Sequence, residues 1–185
     1  MSGIPGKLYH ATLAGNMASI LEEGLLASKC GAVHGETEVH PSRPRVYLSA
    51  HPEPDNLCAE LFAAGDVVVL EVDATGMDPD LFYPDDFFLD KVAAGEMLED
   101  VDDVMETLGL DESEARSLLD RLEHCEGSDF AEALKPFAAW HAREHGEVSY
   151  VGDVPPDAIV SVRPYDSPER DAVAASAWVR RSAKP

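Results

Sequence analysis

Apolar positions along the chain follow two periods, and each switch between them marks an element. Residues 7–12 alternate as a short strand, 14–15 form a turn, and 16–23 repeat at helical spacing through Met17, Ile20 and Leu21. Asn16 stands where an N-cap belongs, Gly24 stops the helix, and Leu25 follows in position to fold back on it. His10 interrupts the first strand between Tyr9 and Ala11, either as a satisfied core histidine or as a site residue. Residues 26–44 have no clean period and two prolines, which predicts a loop.

Residues 45–50, RVYLSA, predict a second strand with Val46 and Leu48 on one side and Tyr47 and Ser49 on the other. His51-Pro52 ends it, and a helix is expected over 56–64 with Leu57, Leu61 and Phe62 inward. The run 66–73, DVVVLEVD, is the clearest strand pattern and predicts a central position in a sheet. Residues 75–86 are rich in turn formers, with Phe82 and Tyr83 as anchors to the core. From 87 to 144 the period is helical: segments at 90–97, 101–108 and about 110–125, then 129–143, in which Pro136 marks a kink or a boundary. Two strands follow, 146–151 with Glu147 and Ser149 on one face, and 158–163. A short terminal helix is expected over 172–179. The order predicts one α+β domain over 1–168, with a helical insertion at about 88–144 and a tail or short helix over 169–185.

Charge changes this picture. The chain has 185 residues, of which 14 are Lys or Arg and 36 Asp or Glu, for a formal charge of −22. Such a molecule repels nucleic acid unless basic groups are focused at one mouth. Ten acidic residues and two arginines between Glu99 and Glu123 predict a solvated helical hairpin with Leu118, Leu119 and Leu122 inward. High acid, five lysines and abundant alanine suggest a salt-rich cytoplasm. No apolar run is long enough for a membrane span, and the N-terminus lacks the apolar stretch of a signal peptide, so a cytoplasmic protein without membrane contact is expected. Three scattered cysteines fit a reducing compartment. Cys30, His34 and His40 match no strong zinc spacing, and no metal is expected. Glycine-rich nucleotide signatures, HExxH and GxSxG are absent.

Three strand segments each carry one polar residue in an apolar frame: His10 in LYHAT, Tyr47 in VYLS and Glu147 in GEVSYV. His-x-Thr precedes a helix of the form N-x-x-S-I-x-x-x-G-L, VYLS precedes a second helical stretch, and the glutamate strand leads to Val154-Pro155-Pro156-x-Ala158-Ile159. In this order the pieces resemble the ADP-ribosyltransferase-like superfamily, in its diphtheria-toxin and PARP-like His-Tyr-Glu branch, near small prokaryotic RNA 2′-phosphotransferase-like proteins. The resemblance covers roughly 7–73 and 145–163 and leaves the acidic helices outside. It implies a split β-sheet core with flanking helices, NAD as co-substrate, and transfer of ADP-ribose to a protein, DNA or RNA acceptor with release of nicotinamide. A toxin or defence effector, with an antitoxin or inhibitor as partner, would suit a single compact domain.

The implied catalytic residues are Glu147, His10 and Tyr47, expected to face one cleft, and the implied NAD-binding residues are His10, Ala11, Thr12, Tyr47, Ser49 and Arg45. A carboxylate at Glu147 would stabilise positive charge as it develops on the ribose. The His10 imidazole would hold the adenosine-side ribose, and the Tyr47 ring would stack on nicotinamide. Backbone groups of Ala11 would bind the carboxamide, Thr12 would hydrogen-bond near the adenosine, and Ser49 would support the pocket wall. Arg43 and Arg45 would meet the pyrophosphate or a nucleic-acid target. The plainer alternatives are a core aromatic at Tyr47, a solvated edge carboxylate at Glu147 and exposed charges at the arginines.

The chain departs from the family where His10-Ala11 replaces His-Gly, and where 55–62 lacks a second stacking tyrosine. His145 stands where arginine-modifying members carry a glutamate, so arginine is a poor acceptor and His145 becomes a candidate base. Two further readings stay open. An RNA 2′-phosphotransferase would need several arginines around the phosphate, and a non-catalytic member would bind a nucleotide or use the acidic helices as a partner surface.

Overall fold

The computed structural model describes residues 3–30, 44–52, 61 and 65–165. Several expectations lie outside them: most of the loop at 26–44 with His34, His40 and Arg43, the helix over 56–64 apart from Leu61, and the terminal helix over 172–179. The described chain is a mixed α/β structure built on one antiparallel six-stranded sheet. Its strands are β1 (Lys7–Leu13), β2 (Val46–Ser49), β3 (Val67–Asp73), β4 (Phe82–Tyr83), β5 (Glu147–Tyr150) and β6 (Ile159–Pro164), in the spatial order β4-β5-β2-β1-β3-β6. The helices are α1 (Met17–Glu23), α2 (Asp86–Ala93), α3 (Val101–Leu108), α4 (Glu112–Glu123), α5 (Asp129–Leu134) and α6 (Ala138–Glu144).

One side of the sheet makes the main core. Leu8 of β1, Val46 and Leu48 of β2, Leu70 and Val72 of β3 and Val148 of β5 are at most 1% exposed and pack with Ile20 of α1. Each such residue contributes roughly 1.5–3 kcal/mol by leaving water. The helix α1 ends at Gly24, whose φ of 85° is open to glycine, and Leu25 then folds back to pair with Val154 through two 2.9 Å backbone bonds. Asn16 does not cap this helix. Its backbone is already helical, and its amide donates to the Thr12 hydroxyl at 3.1 Å.

The helical middle builds a second apolar cluster, in which Phe88, Leu89, Val104, Leu118, Leu122 and Leu134 meet Tyr83 of β4 and Val151 after β5. Three aspartates start its helices: Asp85 caps α2, Asp100 caps α3 and Asp111 forms a capping box with Glu114 in α4. The first of these sets α2 at 86–93 rather than 90–97. Gly109, with φ 68°, ends α3 where the sequence places a stop. Pro136 breaks the last helical stretch into α5, a 3₁₀ turn at Lys135–Phe137 and α6. The strand β3 is interior but not central, because β6 alone lies beyond it. Among the described residues no helix is long and apolar enough to cross a membrane.

Candidate functional site

Strand register decides which of the candidate residues share a side. Ser49 of β2 is paired with Tyr9 of β1 and with Glu147 of β5, and Tyr47 is paired with Ser149, which in turn is paired with Tyr83 of β4. Directly paired residues project to the same side of a sheet. Tyr9, Ser49 and Glu147 therefore form one row, and Tyr47, Ser149 and Tyr83 the next, on the side away from the main core. Glu147 is half-buried, Ser49 is 2% exposed and Ser149 fully buried.

His10 follows Tyr9, so alternation sends it to the opposite side with Leu8 and Thr12. The expectation that His10, Tyr47 and Glu147 face one cleft thus meets a period-2 constraint: Tyr9, not His10, lies in the row of Ser49 and Glu147. His10 reaches Tyr47 differently. Its Nδ1 lies 2.9 Å from the Tyr47 backbone oxygen, at the seam where β1 and β2 pair at Tyr9↔Ser49. A carbonyl only accepts, so Nδ1 carries the proton and neutral His10 keeps Nε2 as an acceptor. Burial lowers its pKa below the ordinary 6.5, while the bond to Tyr47 opposes that shift in part.

The Tyr47 ring is 8% exposed, and its hydroxyl is held between two side chains. It donates to the Asp86 carboxylate and accepts from Arg45 Nε at 3.0 Å, while Arg45 Nη2 donates to Asp86 at 2.8 Å. Burial first, and the Asp86 carboxylate second, push the phenol well above its ordinary pKa. Tyr47 is thus a neutral donor, and Arg45 spends two of its donor groups inside the protein. Asp86 is 1% exposed at the first turn of α2, where the helix terminus favours a negative charge.

Ala11 buries its methyl with Val67, Val69 and Tyr165, and Thr12 is 7% exposed beside Asn16. The candidate base His145 is exposed at the end of α6, stacked on buried His141 with ring centroids 4.7 Å apart. Gly146, with φ 80°, separates it from Glu147, and a side chain at that position would strike the His51 ring. The amide of Ala50 donates to the Gly146 carbonyl at 2.6 Å, which ties the entry of β5 to the exit of β2. Cys30 is half-buried, and its thiol is pushed up to about 11, chiefly by burial. Among the described residues no group of three or more His, Cys, Asp or Glu side chains is placed to hold a metal ion.

Sequence reasoning missed Tyr9, Asp85, Asp86 and His141. Asp85 and Asp86 precede the apolar run Phe87-Phe88-Leu89, a usual N-cap signal, and His141 precedes His145 by one helical turn. No protein-family model matches this chain, and no curated protein matches it.

Proposed function

We propose that the protein is an NAD-dependent mono-ADP-ribosyltransferase that transfers ADP-ribose to a macromolecular acceptor and releases nicotinamide. The observation that carries this reading is the alignment of Ser49 directly beside Glu147, with Tyr47 in the adjoining row and the His10 ring bonded to the Tyr47 backbone. It joins the order of the His, Tyr and Glu strands, which resembles the His-Tyr-Glu enzymes.

In this reading NAD lies across the seam between β1 and β2. His10 lies on the other side of the sheet from Glu147, so one NAD would meet both only where β1 and β2 diverge beyond their pairing at Tyr9↔Ser49; there the neutral His10 ring accepts from a ribose hydroxyl through Nε2, because Nδ1 is engaged. Tyr47 would meet nicotinamide through its ring and not its hydroxyl, since Asp86 and Arg45 hold its oxygen, and the Arg45 guanidinium lies over the ring at 5.7 Å from its centroid. Glu147 orients the nicotinamide-side ribose through its 2′-hydroxyl and stabilises the positive charge that develops at C1′ as the bond to nicotinamide breaks. An acceptor nucleophile then bonds to C1′ and gives up its proton, for which His145 is the nearest candidate base in sequence. The engagement of Arg45 with Asp86 favours this reading over a 2′-phosphotransferase, which would need free guanidinium groups around a phosphate.

The test is nicotinamide release from NAD by the purified protein at high salt, beside Glu147→Gln. Total RNA, sheared DNA and cell lysate are supplied in turn. Wild type should release nicotinamide and label one acceptor class. Glu147→Gln should lose on the order of 10²–10³-fold, the usual cost of removing one electrostatic stabiliser. Folded wild-type protein that turns over no NAD with any acceptor would sink the proposal and move attention to 2′-phosphorylated RNA.

A further inference from the structure

We infer that His141 is a positioning residue for Glu147, fixing the start of β5 from inside the helical layer. This rests on the reading of Glu147 given above, and part of its test does not depend on that reading.

His141 lies in α6 and is 2% exposed. Its Nδ1 is 2.7 Å from the backbone oxygen of Glu147, so Nδ1 donates there. Its Nε2 faces Asp85 Oδ1 at 3.4 Å, and the same oxygen accepts the Phe88 amide at 3.0 Å as the cap of α2. The ring is walled by Phe88 at 4.8 Å between centroids and by His145 at 4.7 Å. Trp140 meets His145 edge-on at 5.2 Å and closes the stack. One imidazole therefore joins three elements, α2, α6 and β5, and its contact on β5 is the residue that carries the candidate catalytic carboxylate.

Burial of this kind has a purpose that packing alone does not explain. A phenylalanine or leucine would fill the space among Phe88, Trp140 and His145 without desolvating a polar ring, which costs free energy unless its hydrogen bonds are met. The polar ring is used at one atom, on the backbone of Glu147. The residues around it are pinned as well: Ala50 donates to the Gly146 carbonyl, His145 donates its amide to the His141 carbonyl at 2.9 Å, and Ser49 pairs with Glu147. The position of a side chain is set by its own backbone, and a displacement of about 1 Å at a reacting group can cost on the order of 10²-fold in rate. The bond from His141 to the Glu147 carbonyl, made by a ring walled between Phe88 and His145, holds that displacement small.

The test compares wild type, His141→Leu, His141→Asn, Glu147→Gln and the double variant His141→Leu/Glu147→Gln. Asparagine keeps a donor near the place of Nδ1, and leucine keeps bulk without it. The expected result is a kcat for nicotinamide release about 10- to 100-fold lower in His141→Leu, with KM for NAD within about threefold of wild type. His141→Asn should recover most of the loss. The double variant should be no slower than Glu147→Gln alone, because a positioning residue has nothing left to position. Equal losses in His141→Leu and His141→Asn, or full additivity in the double variant, would overturn the inference. Hydrogen exchange supplies the second readout. The amides of Glu147 and Val148 should exchange at least about tenfold faster in His141→Leu, with Val69 and Leu70 of β3 unchanged. A uniform change across all four would assign His141 to general stability and reject the proposal even if wild type proves inactive toward NAD.

Discussion

At the scale of single residues, His10 makes the sharpest commitment. Its Nδ1–H donates to the Tyr47 carbonyl, and burial holds its pKa below 6.5. An unfolded chain binds a proton on this ring near 6.5, whereas the folded protein resists until lower pH. The stability this group confers is therefore complete above about 6.5 and is lost as pH falls through the depressed folded value. The ring nitrogens should show the neutral, Nδ1-protonated tautomer at pH 7 by ¹⁵N NMR, with a titration midpoint below 6.5. A midpoint above that value, or the opposite tautomer, would remove the acceptor role given to Nε2. Tyr47 carries a related commitment. With its hydroxyl between Arg45 and Asp86, Tyr47→Phe leaves a 1%-exposed carboxylate and an arginine short of one partner. The substitution should destabilise the fold by about 1–3 kcal/mol in urea unfolding while leaving a ring to stack on NAD. A loss of NAD binding with no loss of stability would instead place the hydroxyl on the ligand.

At the scale of elements, Gly24 is the joint between α1 and the pairing of Leu25 with Val154. Its φ of 85° and ψ of −170° belong to glycine, and a Cβ there would strike the Val154 backbone oxygen. Gly24→Ala should cost more than the roughly 1–3 kcal/mol of an unfavourable backbone conformation, because the clash is with backbone. Gly15→Ala, with open space around it, should change stability by no more than about 0.5 kcal/mol. Equal effects would refute the joint. Elements of this kind were mostly legible in the sequence. The periods of Leu8, Val46 and Leu48, and Val67 to Val72 place β1, β2 and β3 to within a residue, and Gly109 and Pro136 mark real ends. Two-residue β4 was not, since Phe82-Tyr83 is too short to show a period. Register was not legible either. Alternation tells which residues of one strand share a side, but only pairing tells that Tyr9 stands beside Ser49, and so that His10 turns away from Glu147. Asn16 had the composition of a cap, yet Thr12 took its side chain. Asp86 and His141 act through contacts 39 and 6 residues away in sequence, with Tyr47 and the Glu147 backbone.

At the scale of the whole molecule, charge decides the conditions under which the fold holds. A formal charge of −22 makes self-repulsion the main long-range term at low salt. The attractive pairs on the surface offset little of it. Arg116–Glu112 is 62% and 65% exposed and Lys7–Glu71 is 70% and 24% exposed, and solvent screens such pairs to little net worth. Added salt weakens repulsion and attraction together, and repulsion is the larger sum. With the Debye length falling from about 10 Å at 0.1 M to about 3 Å at 1 M, the melting temperature should rise over that range of KCl. Each kcal/mol of relief corresponds to about 2–4 °C for a chain of this size. Removing four exposed carboxylates of α3 and α4, by Asp102→Asn, Glu106→Gln, Asp120→Asn and Glu123→Gln, should raise the melting temperature in 0.1 M KCl and flatten its dependence on salt. None of these four makes a described ion pair, and the weak attraction of Asp102 and Asp120 to Arg116 is lost along with the repulsion, so a net rise would mean that repulsion is the larger. If salt lowers the melting temperature of wild type, or the fourfold variant keeps the full salt slope, repulsion across this acidic surface does not limit the stability of the fold.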